Sequence, residues 1–508
     1  MDTIQSPATQ SFETKSARTD ELRRLAAGTL MPGFTGIAVP VWILEAYDAG
    51  LAAVCLYGTN VASPVQLREL CAGLRAHSPN TLIAVDEEGG DVTRLHYLTG
   101  STQPGNAVLG RLDDVDLTAA SATAIGHELA GLGINLNLAP DADVNSAPDN
   151  PVIGVRSFGA EPDLVARHTA AWIRGLEDAG VGSCAKHFPG HGDTTTDSHL
   201  ALPRVTADAA TLDARELVPF RALVAAGGAT VMTSHILVEA LDPDHPATFS
   251  SRILQDLLRR EMGFNGVIIT DALDMAGASA QTGVAEAAVR ALIAGADLLC
   301  LGSETGPALF DQTLNAIAAA VEEGRLPMER LADAAERTAA LSSRFPAAGA
   351  AEIQEAAIRG QLGLDGRAQP SGVPADPKAL DGERIAEAFE VSEAAERWLA
   401  REDPVAIVQV ETGANFAVGR VPWGPAAATQ AVVSEGEVPD GARVAVVGRG
   451  LDAEHPLWTV FARLRAEGHA VIAVECGWPR GGADIVTYGA SLAVSQALTT
   501  LLNGNVNG

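Results

Sequence analysis

The stretch Val181-Gly-Ser-Cys-Ala-Lys-His-Phe-Pro-Gly-His-Gly-Asp-Thr-Thr-Thr-Asp-Ser-His199 decides how this chain is read. Its opening, Val181–Ala185, is a short apolar run of the kind that forms a buried strand. The remainder is titratable: a lysine, three histidines and two aspartates fall between Lys186 and His199. Gly190 and Gly192 make this part a bending loop rather than a helix. Ionisable groups gathered on a loop at the C-terminal end of a strand are costly to order, so they point to chemistry. The pattern is that of an enzyme.

Outward from this stretch the same unit recurs between residues 36 and 302: apolar strand, polar or glycine-rich loop, helical pattern. Strands are expected at Gly36–Val39, Val54–Tyr57, Leu82–Val85, Ile134–Leu138, Ser183–Ala185, Thr230–Thr233, Val267–Thr270 and Asp297–Leu301. Helical periodicity covers Pro64–Ala76, Leu117–Leu132, Pro162–Ala179, Asp208–Ala226, Ser251–Met262 and Val284–Ala294. Strands alternating with helices imply a parallel sheet, and eight units imply a (β/α)8 TIM-like barrel. A doubly wound sheet is the alternative. The barrel demands that chemistry sit where strands end, and the charged residues obey. Asp86-Glu87-Glu88-Gly89-Gly90 follows the third strand, Pro140-Asp141-Ala142-Asp143 the fourth, Lys186-His187 the fifth, Ser234-His235 the sixth and Asp271 the seventh.

Composition changes after Leu341, and a second strand set occupies Val405–Val410, Val444–Val447, Val471–Val474 and Ile485–Thr487, alternating with helical patterns at Pro456–Glu467 and Ala493–Leu502. The expected organisation is a flexible tail over 1–20, a barrel over 21–345, a linker rich in Ala, Gly and Pro over 346–385, and a smaller α/β sandwich over 386–508. Gly448-Arg449-Gly450 lacks the spacing of a dinucleotide loop and reads as a tight turn.

A length of 508 residues suits two domains, and 47% hydrophobic residues suffice for sizeable cores. The formal charge of −29 argues against nucleic acid and anionic membrane as partners. Five scattered cysteines, with no C-x-x-C pair, read as reduced core thiols. The polar first twenty residues and the lack of a membrane-length apolar run give a soluble, cytoplasmic expectation.

Asp197 and His199 alternate on an extended segment, so both side chains can point the same way. A carboxylate beside an imidazole fixes the tautomer and raises the pKa, which suits proton donation and later abstraction. Taken alone, such a pair more often ties down a loop. Asp271 closes the apolar run Gly266–Thr270, where an ionised carboxylate could attack an electrophilic carbon or stabilise a cation; its plainer role would be a helix N-cap, which suits Asp274 better. Asp86, Arg94, Arg156, Lys186 and His187 lie on the same face and together suit a small, hydroxyl-rich ligand. A metal held by His187, His191, Asp193, Asp197 and His199 is the rival, weakened because all five come from one loop. No metal or other cofactor is expected.

Lys186–His199 resembles the signature of the family 3 glycoside hydrolases, in their β-N-acetylglucosaminidase (NagZ-type) branch. Val85–Gly90, Arg156–Gly159, Met232–His235, Pro246–Ser250 and Thr270–Met275 match in the family's order, over about residues 25–345. The resemblance implies a retaining exo-β-N-acetylglucosaminidase with Asp271 as nucleophile and Asp197–His199 as acid/base dyad. It further implies that Asp86, Arg156, Lys186 and His187 hold the sugar's hydroxyls; Arg94 and Met275 are also expected among the substrate-binding residues. Because a neutral imidazole does not repel anions, a phosphorylase using phosphate as acceptor is the alternative. A silent sugar-binding protein would need no nucleophile. The expected partner is a small carbohydrate with terminal GlcNAc, from cell-wall recycling or chitin. For the C-terminal part, support, homodimerisation and substrate contact are open roles.

Overall fold

A computed structural model describes residues 18–194, 202–347, 380–411, 417–429 and 431–504. Besides a separate parallel pair, Arg204–Val205 with Leu237–Val238, eight short parallel strands among the described residues build the barrel: β1 (Leu30–Met31), β2 (Ala53–Leu56), β3 (Leu82–Val85), β4 (Leu136–Asn137), β5 (Cys184–Phe188), β6 (Thr230–Thr233), β7 (Val267–Ile269) and β8 (Leu299–Cys300). β2, β3 and β4 pair in order, as do β5, β6 and β7. The remaining gaps are bridged by Cys55 N–H to the Pro32 carbonyl, by Asn137 N–H to the Gly182 carbonyl and by the Ile269–Leu298 pair. β8 returns to β1 with Leu30 opposite Leu299 and Met31 opposite Cys300. The sheet is therefore a closed barrel, as the alternation of strands and helices implied. Its strands are buried on both faces, which is why Leu82-Ile-Ala-Val85 is apolar without interruption.

The first expected strand is corrected. Residues 36–39 form an exposed bend, with Ile37 at 50% exposure, and the barrel begins earlier at Leu30–Met31. Gly36 has φ +97°, and Pro40 opens the helix Val41–Asp48, so the apolar letters Gly-Ile-Ala-Val belong to a turn. The helix expected over Asp208–Ala226 breaks into Ala209–Ala214 and Leu217–Ala226, and Arg252–Glu261 is wound as a wider π-helix. Residues 18–20, assigned to the tail, already belong to the first helix. The possible helix at 351–359 lies outside the described residues.

The second sheet contains β9 (Glu390–Val391), β10 (Val405–Gln409), β11 (Arg443–Gly448), β12 (Ala470–Glu475) and β13 (Ile485–Val486). Its order is β9-β13-β12-β11-β10, parallel except for the edge strand β9. Two apolar layers cover it: Ile385, Trp398, Val494 and Leu498 pack on one face, Leu457 and Leu464 on the other. Helix Gly382–Ala386 contributes Ile385, so the last residues given to the linker are part of this fold. Loops after β10, β11 and β12 lie against the loops at the barrel mouth, and they line shared clefts.

Candidate active site

The C-terminal ends of the barrel strands surround a cavity of about 380 Å³. Asp86, Arg94, Arg156, Lys186, His187, Asp271 and Met275 all line it. The proposed dyad, Asp197 and His199, lies outside the described residues.

One wall is a lattice of buried charges. Lys186, on β5, places Nζ 2.6 Å from Asp86 Oδ1 and 2.8 Å from Glu88 Oε1. Arg156 donates from Nη2 and Nε to the two oxygens of Glu88 at 2.8 and 3.0 Å. Asp86 and Glu88 reach the same ammonium because alternate residues leave a strand end on the same side. Glu87 points the other way and accepts from Thr93 Oγ1 and from the amides of Arg94 and Leu95 at 2.8, 2.9 and 3.0 Å. Burial opposes ionisation of Glu88, but the adjacent Arg156 and Lys186 outweigh it and hold the carboxyl well below its usual range. Burial also works against the charge on Lys186, yet Asp86 and Glu88 keep it protonated.

A second alternating pair stands beyond β4. Asp143 accepts from His187 Nδ1 at 2.7 Å and from the His191 amide at 2.6 Å. This fixes the His187 tautomer and leaves Nε2 3.5 Å from Arg156 Nη2. Burial raises the Asp143 carboxyl, but the two imidazoles outweigh it and the net shift is downward. Asp141 is pushed well above its usual range, by burial first and by neighbouring Asp143 second. His191 is driven down to about 4, chiefly by burial, and its Nδ1 lies 2.7 Å from Thr194 Oγ1.

Glu88 and Asp143 carry this wall and were given no role from the sequence. The available signal was alternation: each stands two residues beyond a strand-end acid, at Asp86 and Asp141.

Asp141, Asp143 and His187 are the one group among the described residues whose ligand atoms could gather round a cation. The fit is poor. Arg156 Nε is 3.7 Å from Asp141 Oδ2 and already supplies positive charge, and His187 Nδ1 is engaged by Asp143. Asp193, from the loop-based metal reading, turns instead to Arg215 Nη2 at 2.6 Å.

Asp271 stands just past β7, and its Oδ1 accepts the Ala272 amide at 2.8 Å. Ala272's carbonyl lies 3.1 Å from His235 Nε2, whose Nδ1 is 2.9 Å from Thr248 Oγ1. Fully buried His235 and Thr248 thus brace the turn that carries Asp271. The cavity presents a fixed array of donors and acceptors on one side and a carboxylate on another, an arrangement that can orient a polyhydroxylated ring against a nucleophile.

Residues 44–341 match the N-terminal domain of glycosyl hydrolase family 3. The chain belongs to that family. Among family 3 proteins, a β-N-acetylglucosaminidase structure from Paenibacillus sp. str. FPU-7 superimposes with TM-score 0.79 at 31% identity, covering 95% of this chain and 96% of that one. NagZ from Neisseria gonorrhoeae, solved with N-trifluoroacetyl-D-glucosamine, gives TM-score 0.56 at 31% identity over 66% of this chain and 95% of its own. Beta-hexosaminidase A of Pseudoalteromonas piscicida is 37% identical over 330 residues, which are 60% of this chain. The chain spans 55% of the length of that relative and 74% of the β-hexosaminidase from Neisseria meningitidis serogroup C, strain 053442.

Proposed function

We propose that this family 3 chain is a retaining exo-β-N-acetylglucosaminidase acting on short sugars from cell walls or chitin. One observation carries the reading: seven residues assigned from the sequence line a single cavity at the C-terminal mouth of a closed barrel. The hexosaminidase relatives support the same substrate class. Asp86, Arg156, Lys186 and His187 bind hydroxyls at the non-reducing end, with Arg94 and Met275 on the surrounding wall. Asp271 attacks the anomeric carbon while His199, as imidazolium oriented by Asp197, protonates the departing oxygen. The glycosyl ester then yields to water as neutral His199 takes its proton, and two inversions give retention. No described helix is long and apolar enough to cross a membrane. A cytoplasmic site of action completes the reading, supported by five buried, unbridged cysteines.

Product analysis with an aryl β-GlcNAc, with and without inorganic phosphate, tests it. Free GlcNAc of β configuration as first product, at a rate indifferent to phosphate, is expected. A GlcNAc phosphate ester would transfer the chain to the phosphorylase alternative, and an α first product would remove the two-step mechanism.

A further inference from the structure

Immediately after Asp86–Glu88, the chain runs as a strap along the junction between barrel and second domain. Glu88 N–H closes a turn on the Val92 carbonyl at 3.1 Å, which ties the strap to the binding loop. From there five positions meet the second domain: Asp91, Val92, Arg94, Tyr97 and Ser101. Asp91 Oδ1 accepts the Ala490 amide at 2.7 Å. Val92 is buried with Val418 and Val421 in a small apolar cluster, against which Tyr97 and Ala417 pack. Arg94 Nη2 donates to the Ala417 carbonyl at 2.8 Å and stands 4.0 Å from Asp86 Oδ2. Tyr97 Oη accepts the Arg420 amide at 3.4 Å, and the Ser101 carbonyl accepts that of Ala493 at 3.2 Å. Ala417 itself lines the cavity.

Asp86 thereby sits between two cations: Lys186, bonded to it at 2.6 Å from the barrel, and Arg94, held 4.0 Å away by a main-chain carbonyl of the other domain. A carboxylate that must meet sugar hydroxyls within a few tenths of an ångström gains from such pre-organisation. We propose that the second domain is a working wall of the sugar pocket: through the clasp on Asp91, Val92 and Arg94 it positions Asp86 and sets the affinity for the sugar. Arg94 is a positioning residue in this arrangement. The inference rests on the sugar-binding reading of the cavity.

Steady-state kinetics on an aryl β-GlcNAc test it. Val421→Asp, which puts a carboxylate into the clasp, and Asp91→Ala, which removes the acceptor for Ala490, should each raise KM about tenfold with kcat held within about twofold, the signature of lost uniform binding. Val421→Ile and Asp91→Asn, which keep apolarity and acceptor, should restore wild-type KM. Glu390→Gln loosens the same two domains at a contact outside the strap, where Arg111 Nη1 lies 3.3 Å from Glu390, and should leave KM unchanged. Wild-type KM in folded Val421→Asp and Asp91→Ala overturns the inference. So does a KM rise in Glu390→Gln equal to theirs, because domain contact in general would then be responsible. A wild-type chain without turnover removes the parent reading, and this one with it.

Discussion

Glu88 is the residue on which the charged wall depends, because its two oxygens face both Arg156 and Lys186. Glu88→Gln keeps the shape but leaves two buried cations short of a counter-charge, and breaking a buried pair costs about 3–5 kcal/mol. Denaturant unfolding should register a loss of that order, together with a raised KM. Its folded pKa is depressed, so the stabilisation is complete above the carboxylate's unfolded value and disappears only as pH falls through the lower folded one. The penalty of Glu88→Gln should therefore be the same at pH 6 and pH 8. Asp271 makes a simpler case. Asp271→Ala should lower kcat by roughly 10³-fold or more while GlcNAc still binds by calorimetry; substantial residual turnover would deny it the nucleophile's role. For His199→Ala, loss should be severe with poorly activated leaving groups and mild with nitrophenyl ones, since the latter depart without a proton. Equal losses on both would exclude the acid.

Among the elements, the segment after β5 is held by close backbone approach rather than by its own propensity. A Cβ on Gly192 would stand 1.8 Å from the Val144 carbonyl oxygen and 2.4 Å from its carbon, and main chain cannot yield as a side chain can. Gly192→Ala should therefore displace the loop that leads toward His199, with kcat/KM falling by more than about tenfold and the thermal midpoint dropping as well, since the site is buried. β12 presents a different constraint at its end. Burial raises the Glu475 carboxyl to about 7, although the Gly450 and Leu451 amides donate to it at 2.8 and 2.6 Å. A carboxyl with a raised folded pKa favours folding below its unfolded value near 4.5, and that contribution is lost as pH climbs through about 7. Glu475→Gln should thus narrow the difference between thermal midpoints measured at pH 4 and pH 8. These elements also show what patterning can and cannot reveal. Leu82–Val85 and Val267–Ile269 were legible because buried strands carry unbroken apolar runs between polar stops. Leu30–Met31 was not, since two residues hold no periodicity and their partner, β8, is distant in the chain. Glu390–Val391 escaped for the same reason.

At the scale of the whole molecule, two sheets, parallel except for β9, turn the loops at their C-terminal ends toward one another, and the strand-end cavity opens beside that junction. The NagZ structure from Neisseria gonorrhoeae is covered to 95% by a match over 66% of this chain, so that relative is accounted for with about a third of this chain left over. The charged residues at strand ends could be read from the sequence because a barrel sends them all to one mouth. Their pairing could not: Lys186 meets Asp86 across 100 positions, and only closure of the sheet decides which acid faces which base. The dyad remains a reading of motif alone. One compositional fact acquires meaning from this architecture. The sequence holds three lysines, Lys15, Lys186 and Lys378, so arginine supplies nearly all its positive side chains. Lys186, the single one among the described residues, is 2% exposed and locked between two carboxylates. Amine-directed acylating reagents will find that nitrogen shielded and protonated, so treatment with them should leave the charged wall of the cavity unmodified.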